Sequence, residues 1–202
     1  MKKTLITLLL FCVSACQQST PPVYEKLTQG AVILAFGDSL TYGIGASKNV
    51  NYPSMLSAKS HHKVINAGVS GEITRNGLKR LPALLNKYHP ELLILIHGGN
   101  DILRSIPRQQ TATNLKRMIS EAKQRNIKVV MLGVPAPRLF LLSSAEIYQQ
   151  IAEEQNIPID LETLPKILGD NSLKSDTIHP NNEGYKLMAN NIFALLVDAG
   201  AL

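Results

Sequence analysis

Two short segments, near opposite ends of the main body of the chain, carry the residue types of serine-based acyl transfer. The first is Gly37-Asp38-Ser39-Leu40-Thr41-Tyr42-Gly43 and the second is Asp176-Thr177-Ile178-His179-Pro180. Gly37 permits a sharp turn after an apolar stretch, leaving Ser39 at its tip. The separation of Asp176 and His179 lets the carboxylate fold back onto the imidazole of its own loop. It then holds Nδ1–H and leaves Nε2 to face a hydroxyl nucleophile. Between these segments lie Asn66-Ala67-Gly68-Val69-Ser70-Gly71-Glu72 and Gly98-Gly99-Asn100-Asp101. A backbone N–H at Gly71 and the Asn100 amide, brought against Ser39, supply the donors an oxyanion needs. Taken singly, each segment is an ordinary Asx or Ser turn, solvated loop pair or βα turn. All four in this order form one joint signal.

The intervening sequence must bring these segments together. Apolar runs predict strands over 32–36, 63–66, 92–97, 128–134 and 157–160. Amphipathic stretches predict helices over 53–60, 74–88, 111–126, 144–155 and 183–197. The continuous apolar run Leu92-Leu93-Ile94-Leu95-Ile96 requires burial on both faces, and so helices on both sides of a parallel sheet. The expected architecture is a three-layer α/β/α sandwich of about five parallel strands. In such sheets ligands bind beyond the carboxyl ends of the strands, near the topological switch point. Ser39, Gly71 and Asn100 each follow a predicted strand, and the Asp176–His179 loop precedes the last helix.

On these four blocks the chain resembles the SGNH subgroup of the GDSL lipases and esterases. Within that family, particularly at Gly77-Leu78-Lys79-Arg80-Leu81-Pro82-Ala83-Leu84-Leu85, it is most similar to the small bacterial thioesterase, lysophospholipase and arylesterase members. The resemblance runs from about Ala31 to the C-terminus and implies a flavodoxin-like sandwich. It also implies Ser39 as nucleophile, His179 as base and Asp176 as its orienter. The oxyanion hole would be formed by the Ser39 and Gly71 N–H groups and the Asn100 amide. The expected chemistry is acyl transfer to water through an acyl-enzyme, with no metal or organic cofactor. Ile102 and Leu103 follow the Asn block. Leu139 and Phe140 lie in an apolar loop after the fourth strand. Both pairs are candidates for an acyl-chain wall, which suits esters or thioesters of the lysophospholipid, aryl ester and acyl-CoA type. The alternatives are a carbohydrate O-acetyl esterase and, from another class, a non-catalytic lipoprotein that binds lipids or sugars.

At roughly 150 residues per domain, a chain of 202 residues that is 45% hydrophobic and 18% charged suits one globular domain, with no collagen or disordered character. Its two cysteines, Cys12 and Cys16, cannot build a multi-cysteine zinc cage. Both lie in a secretory-type leader: Lys2 and Lys3, an apolar stretch from Leu5 to Val13, then Val13-Ser14-Ala15-Cys16. This last tetrapeptide resembles a lipobox, with Cys16 as the acylated residue; a plain signal peptide cut near Ala15 is the alternative. The apolar stretch is shorter than the roughly 20 residues of a membrane-spanning helix. The expected organisation is a signal over 1–15, a polar, proline-bearing tether over 16–30 and a hydrolase domain over 31–202. The expected location is the bacterial cell envelope, lipid-anchored and facing the periplasm or surface, with the protein a monomer.

Removing Lys2 and Lys3 lowers the formal charge from +6 to +4. The remaining basic pairs, such as Lys79-Arg80 and Lys116-Arg117, are scattered, as on ordinary helix surfaces, so no nucleic-acid partner is expected. Gly43-x-Gly45 lacks the third glycine of a dinucleotide fingerprint, and neither a P-loop nor a G-x-S-x-G elbow occurs. Adjacent His61 and His62 point apart and suit solvent better than a metal. His97, ending a buried strand, is expected to make a core hydrogen bond.

Overall fold

Five apolar residues in succession have no polar side to present to water. In the computed structural model, which describes residues 23–136, 143–144 and 146–202, all five residues of Leu92–Ile96 are buried. In chain order, β1 (Val32–Gly37) leads through α1 (Ser39–Tyr42) and α2 (Tyr52–Ser60) to β2 (Lys63–Gly68). Then α3 (Thr74–Tyr88) leads to β3 (Leu92–Ile96), and α4 (Gly99–Leu103) and α5 (Arg108–Lys123) lead to β4 (Lys128–Leu132). A short antiparallel pair, β5 (Pro135–Ala136) and β6 (Ser143–Ser144), precedes α6 (Glu146–Gln155) and β7 (Ile159–Asp160). The chain ends with α7 (Thr163–Gly169), a 3-10 turn over Asn171–Leu173 and α8 (Asn182–Asp198).

The main sheet has the order β2-β1-β3-β4-β7 with every neighbouring pair parallel. Helices α3, α5 and α6 pack together, as do α2, α7 and α8, forming the outer layers. This is the expected three-layer sandwich. Its helices follow from their apolar spacing: α3 buries Thr74, Gly77, Leu81 and Leu85, and α5 buries Thr111, Leu115, Met118 and Ala122. Pro82 lies inside α3 and costs about 3 kcal/mol in a helix interior. Full burial of Leu81 and Leu85, at about 1.5–3 kcal/mol each, offsets it.

Three expectations change. Residues 23–30 belong to the folded body and not to the tether: Leu27 is buried, the Tyr24 N–H donates to Ala199 O at 2.7 Å, and the Tyr24 hydroxyl donates to Val129 O at 2.7 Å. The strand expected over 157–160 pairs only at Ile159 and Asp160. The fourth strand stops at Leu132, because after Gly133 the chain turns out into β5. Ser144 Oγ fastens that exit, within hydrogen-bond reach of Gly133 O at 2.9 Å and of Leu161 O at 2.7 Å.

Candidate active site

The chain crosses from β2 on one flank of β1 to β3 on the other, so the crevice beyond the carboxyl ends of β1 and β3 is the switch point of the sheet. Gly37 and Ile96 are register partners there. A Cβ at Gly37 would run into the Ile96 carbonyl oxygen and Thr41 Oγ1. Close approach of β3, and not a sharp turn with positive φ, is therefore what demands this glycine. Ser39 follows as the first residue of α1 and is largely buried.

His179 Nε2 lies 3.0 Å from Ser39 Oγ, and His179 Nδ1 lies 2.7 Å from Asp176 Oδ2. Asp176 Oδ1 accepts the N–H groups of Ile178 and His179, each at 2.8 Å. With an ionised carboxylate at Nδ1, the proton belongs on Nδ1 and the Nε2 lone pair faces the serine. Burial pushes the Asp176 carboxyl up, but the two backbone N–H groups and the imidazole outweigh it and hold the group below its ordinary value. The loop is fastened from below by Asn181. Its Oδ1 caps α8 by accepting Gly184 N–H at 3.0 Å, and its Nδ2 donates to Ser172 O and Lys174 O.

Ser39, Gly71 and Asn100 all line one cleft. The N–H groups of Ser39 and Gly71 have no acceptor among the described residues, and both residues line the cleft. The Asn100 amide reaches Glu72 O at 3.1 Å and Asp38 Oδ2 at 3.3 Å. Gly98, leading into this turn, has φ +106, and a Cβ there would lie 2.5 Å from the Tyr148 hydroxyl oxygen. That hydroxyl donates to His97 O at 2.9 Å.

Four polar residues not singled out in the sequence support these groups. Asp38 is buried, and its Oδ1 accepts Leu40 N–H at 3.1 Å. Burial pushes its carboxyl up against the opposing influence of His97, the Leu40 N–H, His179 and Asn100. Asp101 caps α3 from a distance, accepting Thr74 N–H at 2.8 Å, because the local cap residue Ile73 has no polar side chain. Glu72 and Arg80 form an ion pair at 2.7 Å, with the Glu72 side chain almost fully enclosed. The only sequence signal for Asp38, Glu72 and Asp101 is their place within the glycine-bearing blocks. Arg80, read as half of a surface basic pair, instead reaches inward.

The cleft over Ser39 measures about 290 Å³ and is largely apolar. Ile102 and Leu103 line it, together with Leu40, Val134, Leu168 and Ile178. Leu139, Phe140 and Cys16 lie outside the described residues. No cluster of His, Cys, Asp and Glu suited to a metal ion occurs among the described residues. His97 bonds to Glu72 in the core.

The family model described as the GDSL-like lipase/acylhydrolase family matches residues 35–187. The chain is 32% identical over 168 residues to thioesterase 1/protease 1/lysophospholipase L1 of Escherichia coli K12, covering 78% of this chain and 79% of that protein. It is 34% identical over 204 residues to an arylesterase of Vibrio mimicus, covering 94% of each. Among solved structures, the psychrotrophic esterase EstA from a Pseudoalteromonas species, inhibited by monoethylphosphonate, superposes with a TM-score of 0.73. The identity is 25%, over 83% of this chain and 97% of that one.

Proposed function

Because the chain belongs to the GDSL-like lipase/acylhydrolase family, we propose that this carboxylic ester hydrolase works as a serine esterase, cleaving acyl esters and thioesters through an acyl-enzyme on Ser39. The observation that carries this reading is the continuous contact from Asp176 through His179 to Ser39, at 2.7 and 3.0 Å. In the first half-reaction Ser39 Oγ attacks the acyl carbon and its proton passes to His179 Nε2. The carbonyl electrons move onto oxygen, facing the Ser39 and Gly71 N–H groups and the Asn100 amide. Collapse expels the alcohol or thiol, which takes the proton from His179. Water then repeats the sequence on the acyl-enzyme, giving the carboxylic acid and free Ser39.

The apolar wall of Leu40, Ile102, Leu103, Val134, Leu168 and Ile178 supports an acyl chain over an acetyl group on a sugar, since it offers little hydrogen bonding to carbohydrate. The E. coli and Vibrio proteins are named for thioesters, lysophospholipids and aryl esters, and substrates of these types are proposed here. Aryl esters of increasing acyl length give the test. The expected result is kcat/KM rising beyond four carbons; a steep fall beyond that length would favour the O-acetyl esterase.

Membrane attachment through lipid on Cys16 is proposed from Val13-Ser14-Ala15-Cys16. Thr28, near the start of the described chain, bonds to Glu91, which immediately precedes β3. The described chain therefore begins at the amino ends of the strands, opposite the cleft.

A further inference from the structure

Glu72 is an acidic residue in a place that strongly disfavours an unpaired charge. It is only 8% exposed, and a buried carboxylate persists only when paired and hydrogen-bonded. Arg80 supplies the pair from α3. Its Nε lies 2.8 Å from Oε1 and 2.9 Å from Oε2, and its Nη2 lies 2.7 Å from Oε2. The same Nη2 reaches Gly37 O at 3.2 Å and Ala67 O at 2.9 Å, and the guanidinium lies 4.1 Å from the centre of the Phe36 ring. One side chain thus ties the ends of β1 and β2 to Glu72.

The other partner is His97, fully buried at the end of β3. Its Nδ1 accepts Gly98 N–H at 2.9 Å, so that nitrogen carries no proton. The proton sits on Nε2, which donates to Glu72 Oε2 at 3.2 Å. A Cβ at Gly77 would lie 2.5 Å from that Nε2, so a bare α3 backbone is what leaves room for the ring. His97 thereby couples Glu72 to Gly98, two residues before Asn100.

The backbone of Glu72 completes the arrangement. Its N–H donates to Val69 O at 3.2 Å, closing the turn that presents Gly71, and its carbonyl accepts the Asn100 amide at 3.1 Å. Glu72 is therefore adjacent in sequence to one oxyanion donor and hydrogen-bonded to another, while its carboxylate is gripped from two elements. We propose that Glu72, clamped by Arg80 and His97, is the positioning residue that sets the Gly71 N–H and the Asn100 amide at the spacing an oxyanion requires. It touches no substrate and acts only through those donors, so the inference rests on the serine-esterase reading.

The test is a double-mutant cycle between Glu72→Ala and Asn100→Ala on the full chain, with rates normalised to sites titrated by a fluorophosphonate. Misplacement on the scale of an ångström costs on the order of 10²-fold. Glu72→Ala is therefore expected to lower kcat about 10- to 100-fold with KM nearly unchanged, and to cost much less once Asn100 is already alanine. Arg80→Lys, which keeps the charge but loses the fork, is expected to give a smaller fall in kcat of the same kind and serves if Glu72→Ala does not fold. Normal kcat per titrated site in the folded variant, or a fully additive cycle, overturns the inference. A wild-type rate in Ser39→Ala would instead overturn the underlying esterase reading, so the two failures are distinguishable.

Discussion

Asp38 Oδ2 lies 3.3 Å from Asn100 Nδ2, joining the residue before the candidate nucleophile to the candidate amide donor. This is the longer of the two contacts made by that amide, the other being to Glu72 O at 3.1 Å. A negative oxygen developing in the cleft competes for the hydrogen that Asp38 holds. Burial pushes the Asp38 carboxyl upward.

Asn100→Ala removes this donor while leaving both backbone N–H groups and the triad. Loss of one oxyanion donor typically costs about 2.7–4 kcal/mol, or roughly 10²–10³ in kcat. KM is expected to change little, because the ground-state carbonyl barely uses the donor. Fluorophosphonate labelling of Ser39 should persist at a lower rate. A turn-only role would give a lowered Tm with normal kcat, so measuring kcat, KM and Tm together separates the two.

The pH profile follows from the sign of the Asp176 shift. Burial opposes ionisation, yet the Ile178 and His179 N–H groups and the imidazole hold this carboxyl below its ordinary value of 3.8. A carboxylate with a depressed folded value contributes stability above 3.8 that is lost as pH falls through the folded value. Asp176 thus stays ionised down to its ordinary value of 3.8, and its own protonation adds no step to the profile above that pH. The acid limb of kcat/KM is expected to show one ionisation, with unit slope, and chelators are expected to leave activity unchanged. Two ionisations, or loss of activity in EDTA, would contradict it. Asp176→Asn should lower kcat by about 10⁴, and His179→Ala by about 10⁶, since a misoriented imidazole still accepts protons part of the time.

Anchoring is checked by labelled palmitate in a bacterial host. The full-length chain is expected to incorporate label and to partition with membranes, and Cys16→Ser to lose both. A variant beginning near Ser19 should remain active, because the contacts that fasten this end start at Tyr24. Mass spectrometry finding Cys16 unmodified would contradict the proposal.

The parts of this fold that were legible are those whose signal is local. An unbroken apolar run marks β3, and four-residue apolar spacing marks α3, so the layers and the strand tips follow directly. Helix α4 spans only Gly99–Leu103, too short to express a helical period, and α7 carries Pro165 within its seven residues. Val23–Gly30 is polar in composition, but Leu27 N–H donates to Ala201 O at 2.9 Å, a partner far along the chain that composition does not reveal. Arg80 was obscured for the same reason. Its neighbour Lys79 makes the pair look like helix surface, while the Arg80 side chain, only 25% exposed, pairs with a carboxylate on a preceding loop. The order and chemistry of the four blocks pointed to the site, whereas its buried supports depend on tertiary contacts.

Whether Ser39 is the nucleophile is decided by covalent labelling with a fluorophosphonate alongside ester hydrolysis in wild type and Ser39→Ala. Stoichiometric labelling on Ser39 is expected in the wild type, with no labelling in the variant and loss of nearly all hydrolysis. Tm should stay close to wild type, since losing one small hydroxyl changes stability little. Labelling at another residue, or hydrolysis that survives in Ser39→Ala, would contradict it.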